Sequence, residues 1–68
     1  MKIFHERLKE ILAQKKVSQR GLAKKLNVTQ QTVNGWANKD IPTLERLKEI
    51  CETLDVSADF LLGLDKNQ

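Results

Sequence analysis

One arc of a predicted short helix, Gln30 to about Ala37, carries three amide side chains and a glycine. At about 100° per residue, Gln30, Asn34, Gln31 and Gly35 fall within an arc of about 140°. An amide side chain combines a donor and an acceptor, and this combination matches the N6 and N7 edge of adenine in the major groove of DNA. The arc therefore predicts a helix that presents hydrogen-bonding groups to base edges. The alternative is a solvated helix face.

The side of this helix opposite the amides is apolar, and the segment before it has a similar stripe. Val33 and Trp36 lie opposite the amide arc, so Trp36 is predicted to pack in the core rather than to stack on a base. The preceding segment, residues 19–26, has the spacing of a second buried helical stripe, formed by Leu22, Ala23 and Leu26. Two short helices are therefore predicted in succession.

Polar residues mark the limits of these two helices. The hydroxyls of Ser18 and Thr29 can accept hydrogen bonds from backbone N–H groups that have no other partner, which predicts an N-cap at each position. Asn27 tolerates the left-handed backbone conformation that follows many helices. The two helices are therefore expected to meet at a tight corner.

Three further helices are predicted around this pair. The first runs from about residue 3 to Lys16, with a buried stripe of Phe4, Leu8, Ile11 and Leu12. The fourth follows Pro42 and the predicted cap Thr43, with a stripe of Leu44, Leu47, Ile50, Cys51 and Leu54. The fifth begins after the predicted cap Ser57 and stops at Gly63, with Phe60, Leu61 and Leu62 as its apolar residues. The fold class is therefore all-α, a compact five-helix domain over residues 1–68, with an ordered core at about 3–63 and a short polar tail from Asp65.

The charge is divided unevenly along the chain. Residues 1–40 contain nine Lys or Arg and three acids, whereas residues 41–68 contain three Lys or Arg and six acids. A basic front half beside an acidic rear half favours a surface for a polyanion. The alternative is that the lysines only solvate helix faces.

Few residues suggest any other chemistry. The single cysteine, Cys51, excludes an intramolecular disulfide and a metal site of several cysteines, and is predicted to be a buried structural thiol. The single histidine, His5, is predicted to be a solvent-exposed spectator. No catalytic motif is recognisable, so we expect no enzyme activity, cofactor or metal. No signal peptide or membrane span is recognisable either, so we expect a cytoplasmic protein that binds no membrane.

The sequence resembles the helix-turn-helix family of phage repressors and Cro, often called the XRE family, over roughly residues 5 to 63. The matching residues in the two central helices are Ser18-Gln19, Leu22-Ala23, Leu26, Val28-Thr29-Gln30-Gln31-Thr32-Val33 and Trp36. The match continues through Pro42, Leu47, Ile50, Leu54-Asp55-Val56-Ser57 and Phe60-Leu61-Leu62. The resemblance implies that the second and third helices form a helix-turn-helix, whose third helix enters the major groove of DNA by its N-terminal end.

The resemblance also assigns roles to individual positions. Gln30 and Gln31 match positions that read base edges, and Gln19, Asn38 and Lys39 match positions that contact phosphates. The full set of implied DNA-binding residues is Gln19, Thr29, Gln30, Gln31, Thr32, Asn34, Gly35, Asn38 and Lys39. The implied function is that of a sequence-specific regulator of transcription, a repressor of phage or bacterial type, which binds double-stranded DNA at an operator that can be palindromic.

Some positions depart from the family pattern. Gly21 replaces the usual polar helix former and costs of order 1 kcal/mol in helix propensity. Gly35 removes a side chain where bases can be read, so this protein is expected to read fewer of them. Asn27 replaces the usual glycine at the corner, and residues 37–39 replace the usual acid-x-glycine, which follows the third helix where the family contacts phosphates.

The sequence does not decide whether the protein has partners other than DNA. A leucine-rich end, Leu61, Leu62 and Leu64, either forms a homodimer contact or closes the core. Two other functions fit the same sequence. One is an antitoxin-like module whose main partner is a protein, and the other is the DNA-binding half of a longer repressor.

Overall fold

The computed structural model describes residues 1–65, and within this range every regular element is an α-helix. The helices are α1 (Lys2–Lys15), α2 (Gln19–Leu26), α3 (Gln30–Asn38), α4 (Leu44–Leu54) and α5 (Ala58–Leu62). The predicted all-α fold is thereby confirmed. Three boundaries differ by one residue from the prediction. Helix α1 begins at Lys2 and ends before Lys16, which is already left-handed at φ 59°, and α3 extends through Asn38. None of the helices within residues 1–65 has both the length and the hydropathy that a membrane span requires.

The helix limits follow from the capping residues. Four hydroxyl side chains accept a hydrogen bond from the backbone N–H three residues later, as predicted, and these are Ser18, Thr29, Thr43 and Ser57. At the other ends, Asn27 and Gly63 have left-handed backbones, with φ of 58° and 74°. Because these signals are local, the starts of α2 to α5 and the ends of α2 and α5 are set by the neighbouring sequence.

The core is built mainly around α1, which contacts α3, α4 and α5, while α2 packs closely on α3 and also contacts α4. Its largest fully buried side chains are Phe4, Leu8, Leu22, Val33, Ile50 and Leu61. Since each of the five helices contributes at least one of these residues, no helix is peripheral to the core. The third helix is held from two sides, by α1 and by α2.

Three expectations about burial differ from the structure. Leu44 is 85% exposed, because it is the first residue of α4 and the apolar stripe reaches the core only from Leu47 onward. His5 is 9% exposed rather than a solvated spectator, because it lies on the face of α1 that packs against α3. Cys51 is half-buried and packs against the core, so it is less enclosed than predicted.

The end of α5 is tied to α1 by one arginine. The Arg7 guanidinium donates to the Phe60 carbonyl oxygen at 2.7 Å and to the Asp65 carboxylate at 3.1 Å, and it lies 4.4 Å from the centroid of the Phe60 ring. Asp65, assigned by the sequence to a frayed tail, is therefore anchored. Positions 66–68 of that predicted tail lie outside the described residues.

Candidate nucleic-acid interface

Helix α3 separates its polar and apolar residues as predicted. Gln30, Gln31 and Asn34 are exposed on one side. On the other side, Val33 is 0% exposed and Trp36 is 5% exposed, which confirms Trp36 as a core residue. An exposed amide face backed by a buried apolar face can meet a ligand surface without disturbing the core.

The angle between α2 and α3 is fixed by close packing at their junction. Ala23 is 4% exposed, and its carbonyl oxygen accepts from the Val28 N–H at 3.0 Å. The left-handed Asn27 turns the chain between them. A larger side chain at Ala23 would force the helices apart. This junction determines how far α3 projects from the body.

A side-chain hydrogen bond links the start of α2 to the exposed face of α3. Asn34 Nδ2 donates to Gln19 Oε1 at 3.2 Å, and both side chains are at the surface. The Asn34 carbonyl oxygen also accepts from Asn38 Nδ2 at 2.9 Å. Two predicted site residues, Gln19 and Asn34, are thus brought together although they are distant in sequence. Helical periodicity cannot predict this pair because it depends on how the two helices pack.

The two threonines at the start of α3 bond to each other. Thr29 Oγ1 accepts from the Thr32 N–H at 3.1 Å, and the two hydroxyl oxygens are 2.9 Å apart. Both residues are exposed. A ligand at the helix start would therefore meet hydroxyl groups whose orientation is already set.

Gly35 does not lie on the open surface where the helical-wheel prediction placed it. It is buried, and a Cβ atom built on it would lie 2.5 Å from Oδ2 of Asp40. Its carbonyl oxygen accepts from the N–H groups of Lys39 and Asp40, at 2.8 and 2.7 Å. The chain after α3 thus folds back over this glycine. The remaining predicted contacts, Asn38 and Lys39, are exposed at the end of α3.

Sequence reasoning missed the residue that holds the end of α3. The Trp36 carbonyl would ordinarily accept from the Asp40 N–H, but that N–H bonds to Gly35. The Nδ1 atom of His5 lies 2.7 Å from the carbonyl oxygen of Trp36, and this contact is buried. Because a carbonyl oxygen only accepts, Nδ1 carries the proton. His5 therefore joins α1 to the end of the presenting helix.

Replacing His5 with Leu is expected to lower the free energy of unfolding by about 1–3 kcal/mol, because the buried Trp36 carbonyl loses its donor. His5→Asn should recover part of this loss, since its amide nitrogen stands near the position of Nδ1. Urea denaturation followed by circular dichroism measures both variants. Equal stability of His5→Leu and the parent would contradict this role.

The chemistry of Cys51 argues against a nucleophile. Partial burial, with a smaller contribution from the Glu52 carboxylate, raises the pKa of the Cys51 thiol above its ordinary value. A raised pKa leaves less thiolate near neutral pH, and the thiolate is the reactive form. Among residues 1–65, moreover, no group of three or more His, Cys, Asp or Glu is arranged to hold a metal ion.

The alkylation rate of Cys51 should rise with pH. We expect the pH at the midpoint of this rise to be higher in the folded protein than in the chain unfolded by urea. Iodoacetamide modification between about pH 7 and 11, followed by mass spectrometry, measures both profiles. The unfolded chain is the matched control because it contains the same thiol in water. Coinciding midpoints would show that the fold does not disfavour the thiolate.

The fold and the exposed face of α3 together define a helix-turn-helix protein. Two capped helices meet at a left-handed corner, and the second presents polar side chains while a third helix, α1, supports it. This arrangement is the one that places a helix in the major groove of DNA.

Comparison with known proteins gives the same class. The family described as Helix-turn-helix matches residues 8–61, and the chain belongs to this family. The chain is also 39% identical over 63 residues to the Repressor protein CI of Enterobacteria phage phi80. That match covers 93% of this chain and 27% of the phage protein, so the chain spans about a quarter of the length of the curated relative it matches. No solved structure gives a significant match.

Proposed function

We propose that this protein is a sequence-specific double-stranded DNA-binding regulator of transcription, a repressor of phage or bacterial type that acts in the cytoplasm. The proposal rests mainly on the exposed amide face of α3, formed by Gln30, Gln31 and Asn34. Helix α3 packs against α1 and α2, so this face is held in a helix-turn-helix. The similarity to a phage CI repressor supports the same function.

The charge around the helix-turn-helix supports a polyanionic ligand. Between Glu10 and Asp40 the sequence contains no acid, and its six basic residues are all exposed: Lys15, Lys16, Arg20, Lys24, Lys25 and Lys39. Binding would begin with their attraction to phosphates. The side chains of α3 would then select sequence in the groove.

Within this proposal the predicted site residues divide by position. Gln30 and Gln31 read base edges, and Asn34 does so with the part of its amide that Gln19 leaves free. Gln19, Asn38 and Lys39 contact phosphates on either side of the groove. Thr29 and Thr32, at the start of α3, contact base edges or DNA phosphates. Such phosphate contacts fix the register in which the amides meet the bases.

Selection from a randomised duplex pool at two salt concentrations tests the proposal. We expect a preferred sequence that is still enriched at the higher salt, because base readout survives when phosphate attraction is screened. Retention that is uniform in sequence and collapses with salt would overturn sequence-specific regulation. A protein partner, as in an antitoxin-like module, would then be the better hypothesis.

We also propose that two copies bind one operator through the apolar surface beside α4. Ile41 is 62% exposed and Leu44 is 85% exposed, and with Met1 they border a groove of about 140 Å³. The leucine-rich end was expected either to form a dimer contact or to close the core. Leu61 is fully buried, while Leu64 is 60% exposed. If two copies bind one operator, the two half-sites should lie about one DNA turn, roughly 34–36 Å, apart.

Sedimentation of the protein with and without its preferred duplex tests the dimer. Ile41→Glu and Leu44→Glu should abolish cooperative binding to a two-fold symmetric site, because a charge would be buried against the partner copy. Ala13→Glu, which adds the same charge to an exposed position of α1, is the control. Unchanged cooperativity in both interface variants would contradict this surface.

A further inference from the structure

Helix α3 contains a glycine one turn after Gln31, and another side chain fills the space beside it. Gly35 is four residues after Gln31, so the two positions lie on neighbouring parts of the same helical face. A Cβ atom at Gly35 would lie 2.5 Å from Asp40 Oδ2 and 3.4 Å from Asp40 Cγ. The Asp40 carboxylate therefore stands where a side chain of residue 35 would begin.

The backbone determines where this carboxylate lies. The Asp40 N–H donates to the Gly35 carbonyl oxygen at 2.7 Å, and the Lys39 N–H donates to the same oxygen at 2.8 Å. Only Ile41 and Pro42 separate Asp40 from the cap of α4. A short connection bonded to α3 in this way brings Asp40 beside the helix. Because Gly35 has no side chain, the carboxylate can approach this closely.

The chemical surroundings of Asp40 are unusual for an acid. It is exposed, and it is the only acid between Glu10 and Glu45. Within residues 1–65 its carboxylate forms no hydrogen bond or ion pair, although Lys39 is adjacent in sequence. A negative charge on this surface lowers attraction to phosphates. The acceptor capacity of the carboxylate is therefore available to a donor outside the protein.

We propose that Asp40 is a specificity-determining residue, which reads a base from the position that Gly35 leaves vacant. The inference rests on the proposed function, because it requires α3 to lie in the major groove. A carboxylate only accepts, and the donors in that groove are the N4 amino group of cytosine and the N6 amino group of adenine. Adenine also presents the acceptor N7 beside its amino group, and N7 repels a carboxylate, so cytosine is the better match. Asp40 thus selects cytosine next to the bases read by Gln31. Its charge at the same time weakens binding to sequences without that donor.

Two variants distinguish the effect of the carboxylate's position on DNA binding from the effect of its charge. Asp40→Asn removes the charge and adds a donor, so cytosine should lose its enrichment at one base position by about fivefold or more. Binding to unrelated duplexes should also strengthen. Gly35→Ala keeps the charge but displaces the carboxylate, whose exposed end can move at little cost. Gly35→Ala should lose the same cytosine preference, while its binding to unrelated duplexes should stay as weak as that of the parent.

Asp55→Asn is the matched control for charge. Asp55 is an exposed acid in the link between α4 and α5, with a left-handed backbone that Asn tolerates. It should leave the base preference of the parent unchanged. Thermal unfolding by circular dichroism confirms that each variant is folded before selection from the randomised pool at two salt concentrations.

The outcomes separate this inference from the proposed function. Loss of one cytosine preference in Asp40→Asn and Gly35→Ala, but not in Asp55→Asn, would support the assignment. If Asp40→Asn strengthens binding to every sequence by the same factor and leaves the preferred site unchanged, Asp40 only repels phosphates and the inference is wrong. If the parent protein shows no sequence preference, the proposed function itself fails.

Discussion

Replacing Trp36 with Ala is expected to lower the free energy of unfolding by about 3–5 kcal/mol. The indole is 5% exposed and is the largest side chain that α3 contributes to the core. Its loss leaves a cavity between α3 and the rest of the domain, which so small a core cannot refill. Since small domains are stable by only about 5–15 kcal/mol, much of the total would be lost. Urea denaturation followed by circular dichroism measures the change.

Trp36→Phe is the matched variant, because it keeps an aromatic ring in the same place and should cost clearly less than Trp36→Ala. Gln31→Ala, on the exposed side of the same helix, should change the free energy of unfolding by no more than about 0.5 kcal/mol. If Trp36→Ala and Gln31→Ala unfolded at the same urea concentration, α3 would not be anchored through its indole.

Much of this fold could be predicted because the determining signals are local. A hydroxyl at Ser18 or Thr29 caps a helix through atoms three residues away, and Asn27 turns the chain by its own backbone conformation. Helical periodicity likewise separates the two sides of α3, so the burial of Trp36 follows from the sequence. Such features depend on short stretches of chain and need no knowledge of how the helices are arranged.

The features that could not be predicted depend on contacts between distant parts of the chain. His5 is buried because it meets the end of α3, and Asp65 is anchored because Arg7 lies beside it. No pattern within α1 distinguishes these two partners from exposed polar residues. Leu44 fits the apolar periodicity of α4 but does not reach the core. The periodic pattern starts at Leu44, whereas contact with the core starts at Leu47.

The sequence predicts which residues form the candidate interface, but not how all of them are arranged in the fold. The helical wheel placed Gly35 on the open face, and only the folded chain shows that Asp40 covers it. Periodicity describes one helix alone, whereas this contact depends on the course of the connection to α4. The same limit applies to the bond between Gln19 and Asn34, which requires the crossing of two helices.

Replacing Gln30 or Gln31 with Ala is expected to weaken binding to the preferred duplex by about 1–3 kcal/mol each, or about 5–150-fold. Each amide would lose a paired donor and acceptor contact to a base edge. Both side chains are exposed, and within residues 1–65 neither forms a hydrogen bond, so the free energy of unfolding should be nearly unchanged. Titration of fluorescent duplexes that carry each base in turn measures both affinity and preference.

Lys39→Ala is the contrasting variant because a lysine that contacts phosphate carries no sequence information. It should weaken binding to all duplexes by a similar factor and make the salt dependence shallower by about one unit of slope. The amide variants should instead keep the salt slope of the parent and lose discrimination at single base positions. If both glutamine variants selected the same preferred sequence as the parent, the bases would be read by side chains other than those on the N-terminal face of α3.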